Sequence, residues 1–258
     1  MTRLLSFAAR TDVGPRRDWN EDAVAVFTAA GRRDDGDGFA DCVPADGGVA
    51  LLVLDGMGGQ SSGGIACARI CAYLAEQLAG AWPDDADERG VWLVALIRRL
   101  AAHLLASTGE FTGQAAAAAI AMVVGDVVHV VHVGDVRVYL LHDGRLTRLT
   151  SDDTLINHAR AHGVAEADLE GLPRDVLVQL LGFGEPAPHL TALRLDEDDV
   201  LLLCSDGLHA VLDDAALTAT LLARATPARV CAELVDLAVE ADSEDNISAL
   251  VARLELVG

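Results

Sequence analysis

Three apolar runs in this chain each end on an aspartate. VALLVLD closes on Asp55, VVHVVHVGD on Asp135 and VLLLCSD on Asp206. Runs of this kind read as buried strands, so each carries a carboxylate to the mouth of a core. A carboxylate in that position is costly to desolvate unless something cationic meets it. Several of them converging in space would repel one another unless divalent cations sat between them. The simplest physical reading is a cluster of hard metal ions held by aspartates.

Composition limits what else the chain can do. With 258 residues and 52% apolar side chains, it is long enough and greasy enough for a packed core. No apolar run is long enough to span a bilayer. The opening MTRLLSFAARTDVG has no adequate apolar stretch before Arg10 to serve as a signal peptide. A soluble, cytoplasmic protein is expected, with a monomer as the default. A formal net charge of −21 excludes nonspecific binding to nucleic acid or to an anionic membrane. It also looks wrong for an enzyme of phosphate esters, except that bound divalent cations invert the local field at a site and leave the distant surface acidic. The five cysteines are odd in number and form no CxxC, so Cys67 and Cys71 read as small buried apolar residues.

Along the chain, strands are expected at 3–13, 22–28 and 49–55, with a solvated glycine-rich loop over 30–48. The DDGDG run in that loop lacks the Glu that a calcium loop carries at its twelfth position. Helical spacing covers 62–80 and 86–107. Four strands follow at 115–124, 127–133, 136–142 and 145–149, with hairpin turns at Gly125-Asp126 and Asp143-Gly144. Residues 153–190 are polar and proline-bearing and read as a short helical insertion or flap. A strand at 199–204, helices near 213–223 and 227–241, and a strand at 246–255 complete the chain. Strands beside strands, with paired helices between, predict an antiparallel α+β sandwich rather than alternating βαβ units. Residues 1–258 are expected to form one domain.

The glycines of DGMGGQSSGG (55–64) stand between a strand and a helix, where a dinucleotide fingerprint would also put them. An Asp at the strand end would repel a pyrophosphate, and the GxGxxG spacing is not met. The missing Lys-Ser/Thr pair excludes a P-loop. An Asp followed by Gly suits a metal better, because the small neighbour lets its own carbonyl reach the ion.

Five segments then stand in order: RDWNED (17–22), DGMGG (55–59), GDVR (134–137), SDG (205–207) and DNI (245–247). Together they resemble the PP2C-like, metal-dependent serine/threonine protein phosphatases of the bacterial type. The likeness runs from Thr11 to about Leu250. It implies a four-layer α-β-β-α sandwich of two antiparallel sheets flanked by helix pairs, with metals between the sheets. Asp55 would bridge two Mn²⁺ or Mg²⁺ ions and the Gly56 carbonyl would bind one of them. Asp22 would support the second metal, directly or through water, with Glu21 as its neighbour. Asp206 and Asp245 would hold the first metal, and Asp135 with Asp206 a weaker third. Arg17 would grip the substrate phosphate. The catalytic set implied is therefore Arg17, Asp55 and Asp206. The reaction implied is hydrolysis of phosphoserine and phosphothreonine in proteins by a hydroxide bridging two metals, opposing a bacterial Ser/Thr kinase. A bidentate guanidinium suits phosphate in a way that Lys does not.

Several positions depart from the pattern: Gln60, Gly64, Gln114-Ala115, Val136, Asp153 and Asp242. Met57 stands where animal members have a His that acts as general acid. None of these removes a principal ligand. A phosphatase for one dedicated phosphoprotein is the neighbouring enzymatic alternative. A pseudophosphatase that binds a phosphoprotein or kinase without turnover is the non-enzymatic one. The intact Asp22, Asp55, Asp206, Asp245 and Arg17 argue against the latter. His158 and His162 share a helix face but lack a third ligand, and His129 and His132 should point to opposite faces of a strand. Asp152 is expected either to support the site or to cap the helix that follows it.

Overall fold

The computed structural model describes residues 2–28, 31–33, 37–58, 62–106, 113–223 and 225–258. Its strands are β1 (Thr2–Asp12), β2 (Ala23–Thr28), β3 (Gly31–Arg33), β4 (Gly38–Pro44), β5 (Val49–Met57), β6 (Ala115–Val124), β7 (Val127–Val133), β8 (Arg137–His142), β9 (Arg145–Arg148), β10 (His189–Arg194), β11 (Val200–Cys204) and β12 (Ile247–Val257). Its helices are α1 (Ser62–Gln77), α2 (Ala86–Ala106), α3 (Leu155–Ala161), α4 (Glu166–Leu169), α5 (Asp206–His209), α6 (Asp214–Leu221) and α7 (Pro227–Glu240).

The strands form two six-stranded sheets, in the orders β4-β1-β12-β11-β8-β9 and β10-β7-β6-β5-β2-β3. Neighbouring strands are antiparallel throughout. In the first sheet the N-terminal β1 and the C-terminal β12 lie side by side, from Thr2 opposite Val257 to Asp12 opposite Ile247. The expected α+β sandwich of two antiparallel sheets is the observed architecture.

Strand alternation explains the layers. On β5, Val49, Leu51 and Val53 face the core between the sheets, whereas Ala50, Leu52 and Leu54 pack under α1 and α2. On β12, Leu250, Ala252 and Leu254 face inward while Ile247, Ala249 and Val251 meet α7. A central strand covered on both faces is mostly apolar, so it reads as a near-continuous apolar run. That is why these strands stand out in the sequence. Among the described residues, no helix is long and apolar enough to cross a membrane.

The structure departs from expectation mainly at the sheet edges. The segment expected as a solvated loop over 30–48 contains β3 and β4, and β4 pairs with β1 from Leu4–Pro44 to Arg10–Gly38. Of the DDGDG run, residues 34–36 lie outside the described residues. The 153–190 segment holds α3 and α4 as expected, but β10 begins at His189 and pairs with β7. Both hairpin turns form; Asp143 and Gly144 have positive φ of 48° and 75°, the backbone that a two-residue hairpin turn needs.

Candidate active site

The sandwich gathers the predicted carboxylates at one seam between its sheets. Asp55 lies near the end of β5, and Asp22 directly precedes β2 in the same sheet. Asp206 opens α5 just after β11, and Asp245 directly precedes β12, in the other sheet. Asp135 sits on the crossing from β7 to β8, where the chain passes between sheets. All five are half-buried. Asp55 feels the charge of each of the other four.

Burial and mutual repulsion push the carboxyls of Asp22, Asp55, Asp135 and Asp206 up. Desolvation is the largest cause in each case. It carries Asp22 up to about 8, against the opposing hydrogen bonds of Ser205 and Ser248, with repulsion from Asp206 and Asp245 added. Desolvation and then Asp206 carry Asp135 up to about 7. Asp55 is held well above the usual carboxylate range by desolvation and then by Asp22. Asp206 is raised by desolvation and then by Asp245, although the Asp55 carboxyl stands within hydrogen-bonding reach of it. Two carboxyls can share such a contact only with a proton or a cation between them. Asp206 Oδ1 is also buried without a hydrogen-bond donor among the described residues. An acceptor-rich, donor-poor centre of this kind fits a hard divalent cation.

The surrounding bonds hold the carboxylates in place. Ser205 Oγ donates to Asp22 Oδ2 at 2.7 Å and accepts from Ser248 N at 2.9 Å. Asn246 ties down the RDWNED loop: its Nδ2 donates to the carbonyls of Val13 and Trp19, and its Oδ1 accepts from Glu21 N. Glu21 Oε1 accepts from Gly63 N at 2.9 Å, so its carboxylate is engaged at the start of α1. Gly56 and Gly63 cross so closely that a Cβ on Gly56 would lie 2.6 Å from the Gly63 carbonyl carbon.

Gly207 is equally constrained, because a Cβ there would lie 2.1 Å from the Asn246 carbonyl oxygen. Gly207→Ala is expected to cost about 1–3 kcal/mol and to displace Asp206. Urea unfolding and Mn²⁺ titration of the variant check both effects; wild-type values in each would refute the packing argument.

Arg17 is exposed and lies beside the cluster. Its Nη2 pairs with Asp245 and its Nε donates to the Glu244 carbonyl at 3.0 Å. Arg137 grips Asp152 with two bonds, Nε to Oδ1 at 3.0 Å and Nη2 to Oδ2 at 2.7 Å. Thr154, not Asp152, caps α3, by accepting from Asn157 N. The capping role for Asp152 is thereby corrected. His209, pushed down to about 4 chiefly by burial, is a neutral ring whose Nε2 meets the Asp135 carbonyl at 3.1 Å.

Asp153 is a residue whose role the sequence did not announce. Its Oδ2 accepts from Gly134 N at 2.9 Å, next to Asp135. Its Oδ1 lies 2.8 Å from both Gln179 Nε2 and His189 Nε2. One buried carboxylate thus joins the Asp135 turn to the far end of the 153–190 segment. His132 stacks on His189 with ring centroids 4.8 Å apart, and His129 packs against Gly90 on the opposite face. His158 and His162 stack on each other at 4.2 Å, and neither belongs to a metal-ligating group among the described residues. Cys67 and Cys71 are buried and not disulfide-bonded, as expected of apolar packing.

Residues 33–238 match the profile of the protein phosphatase 2C family. The chain belongs to that family. It is 30% identical over 262 residues to the serine/threonine protein phosphatase PstP of Mycobacterium tuberculosis, a match covering 98% of this chain and 45% of PstP. The chain therefore spans about half the length of that curated relative. The serine/threonine phosphatase of Streptococcus agalactiae superposes with a TM-score of 0.84 at 25% identity, over 97% of this chain and all of the other. The catalytic domain of PstP, solved in complex with two manganese ions, gives 0.76 at 27% identity, over 99% of this chain and 100% of that one.

The structure accounts for some of this chain's departures from the protein phosphatase 2C pattern. Asp242 stands where Gly is frequent, and its φ of 59° is the left-handed conformation that Gly supplies and Asp tolerates. It also pairs with Arg16. Val136 is buried in the core between the sheets. Gln114 accepts from Arg69 at 3.1 Å. Gln60 lies outside the described residues.

Proposed function

We propose that this chain is a metal-dependent phosphatase that hydrolyses phosphoserine and phosphothreonine in proteins and opposes a Ser/Thr kinase. The observation that carries the reading is the convergence of five aspartates from both sheets beside Arg17. The orphaned Asp206 Oδ1 supports it. The manganese bound by the PstP catalytic domain points to Mn²⁺ or Mg²⁺ here.

Asp22, Asp55, the Gly56 carbonyl, Asp206 and Asp245 would hold two central ions, and Asp135 with Asp206 a third. When bound, such ions activate a water as nucleophile near neutral pH and neutralise phosphoryl charge. The chain's own residues do the rest. Arg17, held by Asp245 and the Glu244 carbonyl at the rim, orients the phosphate through its remaining N–H groups. Ser205 and Asn246 fix the carboxylates and the loop that carries Arg17. His209, Asp153 and the Arg137–Asp152 pair fix the Asp135 turn. No covalent phospho-enzyme is required, so no nucleophilic Ser or Cys is called for. One domain over 1–258, with a flap at about 153–190 shaping substrate access, completes the proposal.

The test is hydrolysis of a phosphothreonine peptide by purified protein, first with EDTA and then with added Mn²⁺. Activity only with metal supports the reading; a folded protein that binds Mn²⁺ and never turns over would replace it with a pseudophosphatase. Arg17→Ala should lower kcat/KM about 10- to 100-fold, the worth of one charge-assisted hydrogen bond, with Mn²⁺ affinity retained. Unchanged kinetics would remove Arg17 from the phosphate site.

A further inference from the structure

A second cluster of ligating side chains lies away from the five aspartates. His142 ends β8, and Asp196 and Asp199 come from the turn between β10 and β11. One donor atom from each of the three falls within 4.8 Å of the others, the one such group among the described residues. They line a groove of about 1260 Å³ that none of the five aspartates reaches. We propose that His142, Asp196 and Asp199 form a second metal site, for a single divalent ion of the zinc class. This site does not depend on the phosphatase reading.

The donor geometry carries the proposal first. Two donors about 2.1 Å from a common ion stand about 3.0–3.4 Å apart at right or tetrahedral angles. His142 Nδ1 lies 2.8 Å from Asp199 Oδ1 and 3.8 Å from Asp196 Oδ2, which brackets that spacing. Small side-chain rotations of His142 and Asp196, both exposed, would complete it. Asp199 needs no rotation. Its Oδ2 accepts from Asp196 N at 2.8 Å, and its backbone pairs with Asp196 and Leu254, which leaves Oδ1 for the ion.

The charge balance points the same way. The Asp199 side chain is only 4% exposed, and His142 is its one ionic partner among the described residues. Asp143 also stands 3.6 Å from the ring, at Nε2. Three carboxylates therefore lie within 4 Å of one imidazole, and among the described residues no Arg pairs with Asp196 or Asp199. A divalent ion would satisfy that deficit where a single imidazolium leaves it open. One nitrogen and two oxygens favour zinc, cobalt or manganese over calcium or magnesium. The open groove leaves room for the waters that would fill the remaining positions. Such an ion would staple the β8–β9 hairpin to the β10–β11 turn.

The experiment saturates the protein with Mn²⁺, titrates in Zn²⁺ near neutral pH, and collects anomalous scattering on both sides of the zinc edge. A zinc peak bonded to His142 and Asp199 is expected. His142→Ala and Asp196→Ala should each lose that peak and weaken the zinc-binding event at least about tenfold, with Mn²⁺-dependent hydrolysis unchanged. Asp206→Asn should keep the zinc event, which separates this site from the proposed catalytic one. Matching zinc isotherms in wild type and His142→Ala, or no zinc peak at His142, would overturn the proposal and leave an ion pair only.

Discussion

Asp206→Asn is expected to cut Mn²⁺-dependent hydrolysis of a phosphopeptide by roughly two to three orders of magnitude while the protein stays folded. Asp206 is the carboxylate on which the cluster converges. Its Oδ1 is buried without a donor, it shares a contact with Asp55, and it raises the pKa of both Asp22 and Asp135. Removing its charge takes a ligand from the ions and leaves the sheets as they were. The metal-free variant should be at least as stable as the wild type, because the substitution also removes a repelling neighbour from a desolvated site. Steady-state kinetics against Mn²⁺ concentration, beside thermal melts in EDTA, test both halves. Full activity would remove Asp206 from the metal set. A large fall in melting temperature without metal would show that its role is structural.

The second large effect is an inverted pH dependence of stability in the absence of metal. Asp22 and Asp135 titrate near 8 and 7 in the folded protein, but near 4 in an unfolded chain. The folded state therefore binds more protons between those limits. Stability linked to these groups is complete below the unfolded pKa and is lost as pH rises through the folded one. In EDTA, the protein should lose stability from about pH 4 to pH 8, on the order of 4 kcal/mol for a shift the size of that at Asp135. In melting temperature that is a fall of roughly 10 °C for a domain of this size. Saturating Mn²⁺ should reverse the slope, since the ion binds only the deprotonated cluster. Melts across that range with and without Mn²⁺ decide it; parallel curves would mean that the carboxyls are not coupled to folding.

What the sequence made legible follows from burial. β5 and β11 are covered on both faces and appear as continuous apolar runs, VALLVL and VLLLC. The aspartates beside them were conspicuous because they interrupt such runs. β4 and β10 were missed for the complementary reason. Each is an edge strand with one neighbour, and their sequences, GFADCVP and HLTALR, alternate between half-covered and exposed positions. Nothing in either separates an edge strand from a polar loop. The supports of the site were hidden differently. Asp153 with Gly134 and His189, Asn246 with Val13 and Trp19, and Ser205 with Asp22 are pairs distant in sequence. Their partners are set by the packing of the two sheets, which leaves no local pattern to read. The Arg137–Asp152 pair was half visible, since both residues stand in one hairpin motif, but only the fold shows that Asp152 faces Arg137 instead of capping α3.

Two neighbours in the first sheet, β1 and β12, are the first and last strands of the fold. Synthesis delivers them at opposite ends of time. While the ribosome is still making the middle of the protein, β1 can pair with β4 but its other edge has no partner. Asp22, Asp55, Asp135 and Asp206 have all been made before β12, the strand that joins β1 to β11 in the first sheet. Asp245 arrives immediately ahead of that strand, so the last of the five proposed ligands emerges together with β12. A nascent chain of this protein therefore cannot bring the five aspartates together before β12 has been made and has paired with β1.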